Sequence, residues 1–304
     1  MTPKNTPNND HFVRYYQNQT LITEKNPTFD GLIFLYKNWF GRLIRPLATN
    51  KFIAYLIGRY QNSPHSRHQI ADFIRRFGVD MTDALQRVDQ YTCFNDFFTR
   101  KLNPGSRPID PTPHGLVSPA DSKLFVIPIL TEQTTFFVKQ HTFDLKRFLG
   151  SANLAQTFAG GTLLQFRLAP ADYHRFHFPV SGIITHHERI NGILESVNPF
   201  VFIQGYQPLT ENERQVIILE TEEFGPLAII IVGATLVGSI NFTYDKAAQY
   251  HTKGDEMGYF AFGGSTVVVL TQPGVLATQD IFIKHSNEGY ETAVQMGQLV
   301  GAKL

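Results

Sequence analysis

Apolar residues first recur at helical spacing between residues 32 and 44, where Leu32, Ile33, Leu35, Tyr36, Trp39, Phe40, Leu43 and Ile44 form one stripe. Lys37, Arg42 and Arg45 lie among them, and Pro46 is expected to stop the helix. A second apolar run, 52–60, carries Lys51 and Arg59 at its ends. A third, 70–77, contains Arg75 and Arg76 and stops at Gly78. The aromatic segment 94–102 reads as a helix docking on the β-rich part of the chain beyond it, and the Pro-rich 103–110 as a linker. From Leu116 onward the pattern is mainly β. Short apolar runs at 116–117, 124–130, 162–168, 182–190, 215–219, 227–232, 235–242, 258–262 and 267–270 are punctuated by Gly and Pro. One helix is expected at 145–149. The predicted class is α+β, with N-terminal amphipathic helices on a mainly antiparallel β barrel or sandwich.

The chain divides into three regions. Residues 1–28, rich in Asn, Thr and Pro, read as a flexible tail. Residues 29–110 are a helical region and linker, and 111–304 a β-rich domain. Basic charge with large aromatics on short amphipathic helices suits a bilayer surface. It equally suits an ordinary helical layer on a β core.

Composition narrows the partners. A net charge of +1 with 17% charged residues gives no broad nucleic-acid surface. The 26 Phe residues suit both a core and a membrane interface. One cysteine, Cys93, excludes an intramolecular disulfide and a cysteine metal cluster. The first thirty residues lack the apolar core of a signal peptide, and no run of 18 apolar residues predicts a transmembrane helix.

Candidate chemistry concentrates in three places. In the stretch 253–270, Gly263-Gly264-Ser265-Thr266 separates two apolar runs. It reads as a hairpin turn, or as a site where Ser265 Oγ attacks the accessible Gly264 carbonyl. Residues 172–179, Asp-Tyr-His-Arg-Phe-His-Phe-Pro, hold His174 and His177, side chains suited to moving protons near neutral pH. A metal reading with His186 and His187 as extra ligands matches no common zinc spacing. Asp121, after Ser118-Pro119-Ala120, is a turn-capping residue, or it orients His177 so that His177 takes the Ser265 proton. The small residues of 233–240 suit close strand packing or approach of a ligand to the backbone. A serine hydrolase built on the same trio would lack the Gly-x-Ser-x-Gly elbow.

Several stretches, taken together and in order, resemble the phosphatidylserine decarboxylase family, the pyruvoyl-dependent enzymes of phospholipid synthesis. They are 94–102 (Phe-Asn-Asp-Phe-Phe-Thr-Arg-Lys-Leu) with 107–110 (Arg-Pro-Ile-Asp), then 118–121 (Ser-Pro-Ala-Asp) and 172–177. After these come 212–214 (Asn-Glu-Arg), 223–226 (Glu-Phe-Gly-Pro), 232–240, and 253–258 (Lys-Gly-Asp-Glu-Met-Gly) with Gly264-Ser265-Thr266. The resemblance covers roughly residues 90–272, more weakly back to about residue 30. It implies a proenzyme that cuts itself between Gly264 and Ser265 into a large chain, 1–264, and a small one, 265–304, which stay together as a heterodimer. Pairing of these heterodimers is implied too. Ser265 would become a covalent pyruvoyl group, the only organic cofactor. It would form a Schiff base with phosphatidylserine and act as an electron sink as CO2 leaves, giving phosphatidylethanolamine. By family position Asp121, His177 and Ser265 form the self-cleavage triad, and His174 assists substrate chemistry. No metal is implied. Peripheral attachment to the cytoplasmic side of the cell membrane is, which gives the basic, aromatic helices a use. A relative that only binds phospholipid would share the motifs without the chemistry. The chain departs from the family at Ser122, where members often have Gly. Some relatives also carry a long insertion in the segment that here spans only 241–252.

Overall fold

The computed structural model describes residues 13–24, 26–131, 134, 143–235, 239–263 and 265–304. Its first strands are β1 Arg14–Gln17, β2 Thr20–Thr23, β3 Gly115–Val117, β4 Ser122–Ile127 and β5 Leu163–Leu168. They are followed by β6 Arg175–His177, β7 Ile183–Ile190, β8 Arg214–Thr221, β9 Gly225–Gly233 and β10 Ile240–Phe242. The last are β11 Glu256–Phe260, β12 Ser265–Leu270, β13 Leu276–Thr278, β14 Glu291–Val294 and β15 Leu299–Lys303. The helices are α1 Phe29–Lys37, α2 Trp39–Ala48, α3 Lys51–Gln61, α4 Gln69–Phe77 and α5 Phe94–Phe98. Further on come α6 Leu145–Leu149, α7 Ala152–Phe158, α8 Pro199–Ile203, α9 Pro208–Glu211 and α10 Asp280–Asn287.

Nine strands form one sheet in the order β2-β1-β14-β4-β5-β12-β9-β8-β7. All its pairs are antiparallel except β1 with β14. Two three-stranded sheets, β10-β11-β6 and β13-β15-β3, supply the layer opposite. Side chains alternate across the large sheet. Leu164, Phe166, Val267 and Ile229 share one buried cluster with Phe176, Phe260, Leu276 and Val300 of the small sheets. Val268, Ile230 and Ile218 face the other way, under Phe148, Phe158, Phe202 and Leu209 of α6 to α9.

The helix-and-sheet class agrees with the sequence, but the β part is not a closed barrel. The large sheet ends at β2 and β7. β7 is largely exposed and carries His186, His187, Glu188 and Arg189, so its outer edge is blunted by charge instead of closed by a neighbour.

Three further expectations change. Residues 13–24 are not a tail. They form a hairpin that joins the sheet through β14, turning at Asn18 and Gln19, both with positive φ. The sparse Tyr15, Tyr16 and Ile22 hid in polar sequence, yet Tyr16 stacks on His285 with centroids 3.7 Å apart. Pro46 does not stop a helix but lies inside α2. The break falls at Asn38, whose side-chain oxygen accepts the Phe40 amide at 2.9 Å and caps α2. The strand expected at 235–242 is reduced to Ile240–Phe242; positions 236–238 lie outside the described residues.

A buried carboxylate fastens the first helices to the sheet. Glu195 accepts a 2.6 Å bond from Tyr36 of α1 and pairs with Arg45 of α2. Its backbone amide donates to Asn212 Oδ1 at 2.8 Å, and Asn212 Nδ2 donates to the Gly233 carbonyl at 2.7 Å. The α1–α2 elbow depends on Gly41. A Cβ there would fall 1.8 Å from the Phe34 carbonyl oxygen. Gly41→Ala should therefore force the two helices apart and cost about 2 kcal/mol, read as a lower urea midpoint. An unchanged midpoint would show that the elbow tolerates a methyl group.

Candidate active site

Ser265 opens β12 and pairs with Leu168 of β5 and Gly233 of β9. Alternation puts its side chain on the face of Val267, toward the small sheet that carries His177. It is fully buried, and among the described residues its Oγ has no hydrogen-bond partner. A buried hydroxyl without a partner costs about 1–3 kcal/mol, so this is a group held ready at the expense of stability. Gly264, on the other side of the expected scissile bond, lies outside the described residues. The chain leading to it is well anchored. The Phe262 amide donates to Asn95 Oδ1 of α5 at 2.9 Å. The Phe262 ring meets Phe94 and Phe98 edge-on at 4.9 and 5.4 Å. Gly263 comes next with φ +142°, a conformation that favours glycine.

His174 is fully buried and stacks on Phe98 with centroids 4.0 Å apart. Its Nε2 lies 3.1 Å from the Ala169 carbonyl oxygen. A carbonyl can only accept, so Nε2 carries the hydrogen and Nδ1 is a bare acceptor. Among the described residues that Nδ1 has no partner. Burial, and then the Arg100 charge, push His174 down to about 3, so it is neutral near pH 7. The loop beneath it is held from three sides. Asp172 takes Lys123 at 2.9 and 3.1 Å and the Ala169 amide at 2.8 Å. Arg100 donates to the Ala171 and Asp172 carbonyls at 3.1 and 3.3 Å.

His177 lies in β6, and its amide donates to the Pro119 carbonyl at 2.8 Å, which ties it to the turn bearing Asp121. Burial pushes its pKa down, opposed mainly by the Glu256 charge. Among the described residues its Nδ1 has no hydrogen-bond partner. Asp121 does not bond this ring. Both its oxygens accept Arg107 in a bidentate pair of 2.7–3.0 Å, and Oδ1 also accepts the Met296 amide at 2.9 Å. Its influence on His177 is that of a neighbouring charge. Ser122, the departure from the family pattern, starts β4 and donates to the Ala120 carbonyl at 3.2 Å, so it braces the same turn. His186 and His187 stand apart on β7, where His187 is held by Tyr244 and Gln215 at 2.9 and 3.0 Å.

Beside Leu168 and Gly263 opens a cavity of about 400 Å³. Leu32 and Leu35 of α1, Phe73 of α4, Phe98 and Thr235 contribute to its wall. Sequence reasoning missed this space, because its walls come from separate parts of the chain. It also missed the groups that hold the site together. Arg175 bonds Glu256 at 2.8 and 3.0 Å and the Thr99 carbonyl at 2.9 Å. Arg167 is buried between Glu291 and Glu24, with closest contacts of 2.6 Å to each. Charged residues inside mainly apolar strands were the available signal.

Comparison with known proteins agrees with this geometry. A family model described as phosphatidylserine decarboxylase matches residues 94–302, more than half of the chain. A phosphatidylserine decarboxylase proenzyme of Fusobacterium nucleatum is 37% identical over 292 residues, covering 95% of this chain and 97% of that protein. One from Chlamydia trachomatis is 38% identical over 272 residues, 89% of this chain and 90% of its own length. Phosphatidylserine decarboxylase proenzyme 3 of Schizosaccharomyces pombe is 38% identical over 279 residues, which cover 90% of this chain and 29% of that protein. With its motif segments interlocked around a buried, unpartnered serine, the chain belongs to the phosphatidylserine decarboxylase family.

Proposed function

We propose that this chain is made as a proenzyme, cuts itself between Gly264 and Ser265, and converts phosphatidylserine to phosphatidylethanolamine. The observation that carries the reading is the buried, unpartnered Ser265 Oγ at the head of a strand paired on both sides. The strand fixes the serine, and among the described residues no hydrogen bond of its Oγ competes with attack on the preceding carbonyl.

Neutral His177 takes the Ser265 hydroxyl proton, and Oγ bonds to the Gly264 carbonyl carbon. The C–N bond breaks, its nitrogen takes the proton, and an ester replaces the amide. Loss of the Ser265 α-proton then expels the Gly264 carboxylate. Water replaces the nitrogen as ammonia, leaving a pyruvoyl group on the small chain. Asp121 stabilises the transient imidazolium by its charge, while Arg107 and the Met296 amide hold it. A buried serine already in the chain fits this route, since the group is made in place. Once present, its ketone supplies the electron sink that loss of CO2 requires. His174 accepts the substrate ammonium proton at Nδ1 and returns a proton to carbon after CO2 leaves. Its fixed tautomer supports that direction of transfer.

The small chain stays bound after cleavage. Its β12 runs between β5 and β9, β14 between β1 and β4, and β15 between β13 and β3. The exposed apolar surface of α2 and α3 is the membrane face. Trp39, Leu43, Leu47 and Phe52 are 76, 67, 60 and 66% exposed. Among the described residues no helix is long and apolar enough to cross a membrane. Attachment is therefore peripheral in this reading.

Three outcomes test it. Wild-type protein should give two masses split at 264/265, whereas Ser265→Ala should remain one chain and release no CO2. A single uncut wild-type chain labelled at Ser265 by a fluorophosphonate would instead make it a hydrolase. Leu43→Asp with Phe52→Asp should weaken binding to anionic liposomes at least about tenfold, as expected for exposing two large apolar side chains. Equal binding would remove the membrane face from α2 and α3. Finally, His174 binds a proton in the unfolded chain below its usual pKa but not in the folded one. Stability should therefore fall as pH drops below about 6.5. Between pH 7 and 5 the loss attributable to His174 is about 2 kcal/mol. Denaturation of Ser265→Ala with and without His174→Gln should show the shallower pH slope in the double variant. Parallel slopes would mean that His174 is protonated in the folded protein.

A further inference from the structure

We propose that Arg76 is the phosphate anchor of the substrate, a specificity-determining residue at the mouth of the cavity beside Gly263. The inference rests on the decarboxylase reading. Among the described residues two cations line this cavity, Arg167 and Arg76, and they differ in burial and in how closely they are paired. Arg167 is 2% exposed and engaged by two carboxylates, Glu24 and Glu291, so it offers nothing further to an anion. Arg76, on α4, is 51% exposed and makes a loose i,i+4 ion pair with Asp72 at 3.6 Å, too long for a hydrogen bond. Asp72 is already bonded to Arg75. A guanidinium with unfilled donors on an apolar wall is suited to a phosphodiester, which it can bind through two parallel N–H donors.

The charge order along the cavity matches the head group. At the inner end, one arginine faces two carboxylates, and Glu24 lines the wall. That end favours a cation, and the substrate ammonium must point inward to reach the residue after Gly264. Arg76, half exposed, marks the solvent side of the cavity, on the α4 wall that also carries Phe73 and Phe77. The phosphorus, three bonds from the amine-bearing carbon, would bring its oxygens there. The glycerol and acyl chains would then leave past α1 and α4, on the side of the exposed apolar helices. The substrate carboxylate is left among Phe98 and Phe262, where poor solvation favours its loss as CO2.

The test uses processed, full-length protein and a short-chain phosphatidylserine kept below its micelle concentration, so that no bilayer takes part. Arg76→Gln should raise KM about tenfold or more with kcat within about twofold, as for loss of a charge-assisted contact. Arg76→Lys should recover part of the loss. An O-acylserine, which keeps the amine and carboxylate but has no phosphate, should show the same KM with wild type and Arg76→Gln. Unchanged KM for the soluble phospholipid would overturn the proposal. So would an equal loss on O-acylserine, or an effect confined to anionic vesicles, which would assign Arg76 to the membrane surface. Complete cleavage at 264/265 in both proteins, seen by mass, with CO2 release by wild type separates these outcomes from a failure of the decarboxylase reading itself.

Discussion

Backbone pairing of β12 on both edges is the constraint on which the site depends. Each residue of Ser265–Leu270 is matched to β5 on one side and β9 on the other. The serine cannot move without breaking two ladders. The turn before it is fixed separately by Asn95 and the rings around Phe262. In the proposed reaction a serine placed between such supports needs little help with orientation, and its neighbours are left with proton transfer.

The buried charges serve that purpose indirectly. Lys123 with Asp172, Arg175 with Glu256, and Arg107 with Asp121 each join segments distant in sequence. Pairs of this kind contribute little net stability, because desolvation offsets attraction, but breaking one leaves a charge stranded. They therefore penalise misregistered arrangements of the loops around His174 and His177. The histidines gain the opposite property. Kept from water and from acidic hydrogen-bond partners, both have depressed pKa values and are bases at neutral pH.

Much of this was legible in the sequence, and the gaps have physical causes. The β-branched run after Ser265 read as a strand because a strand buried on both faces is apolar throughout. The three N-terminal amphipathic helices were visible in their periodicity, but the break at Asn38 was assigned to Pro46. Proline weighs more in a pattern than a capping asparagine, but Pro46 lies in the last turn of α2, with only Leu47 and Ala48 after it, so it marks the end of that helix and not the break between α1 and α2. The hairpin at Arg14–Thr23 was invisible because its stability comes from β14 and from Glu24 on Arg167, not from its own composition. Asp121, His174, His177 and Ser265 could be named, but their bonding could not. Nothing local shows that the Asp121 carboxylate is occupied by Arg107, or that His174 is tethered by Ala169.

The Met296 contact has a consequence for timing. Asp121 is made early in synthesis, but the amide that holds its Oδ1 belongs to residue 296, and β14 must arrive before the β1–β2 hairpin can join the large sheet. These are contacts of very high sequence separation, which form late in folding. An unfinished chain emerging from the ribosome would contain Gly264-Ser265 while lacking the support for its own scission. For the proposed reaction the order of the polypeptide thus acts as an interlock, postponing self-cutting until translation has passed the last strands of the sheet.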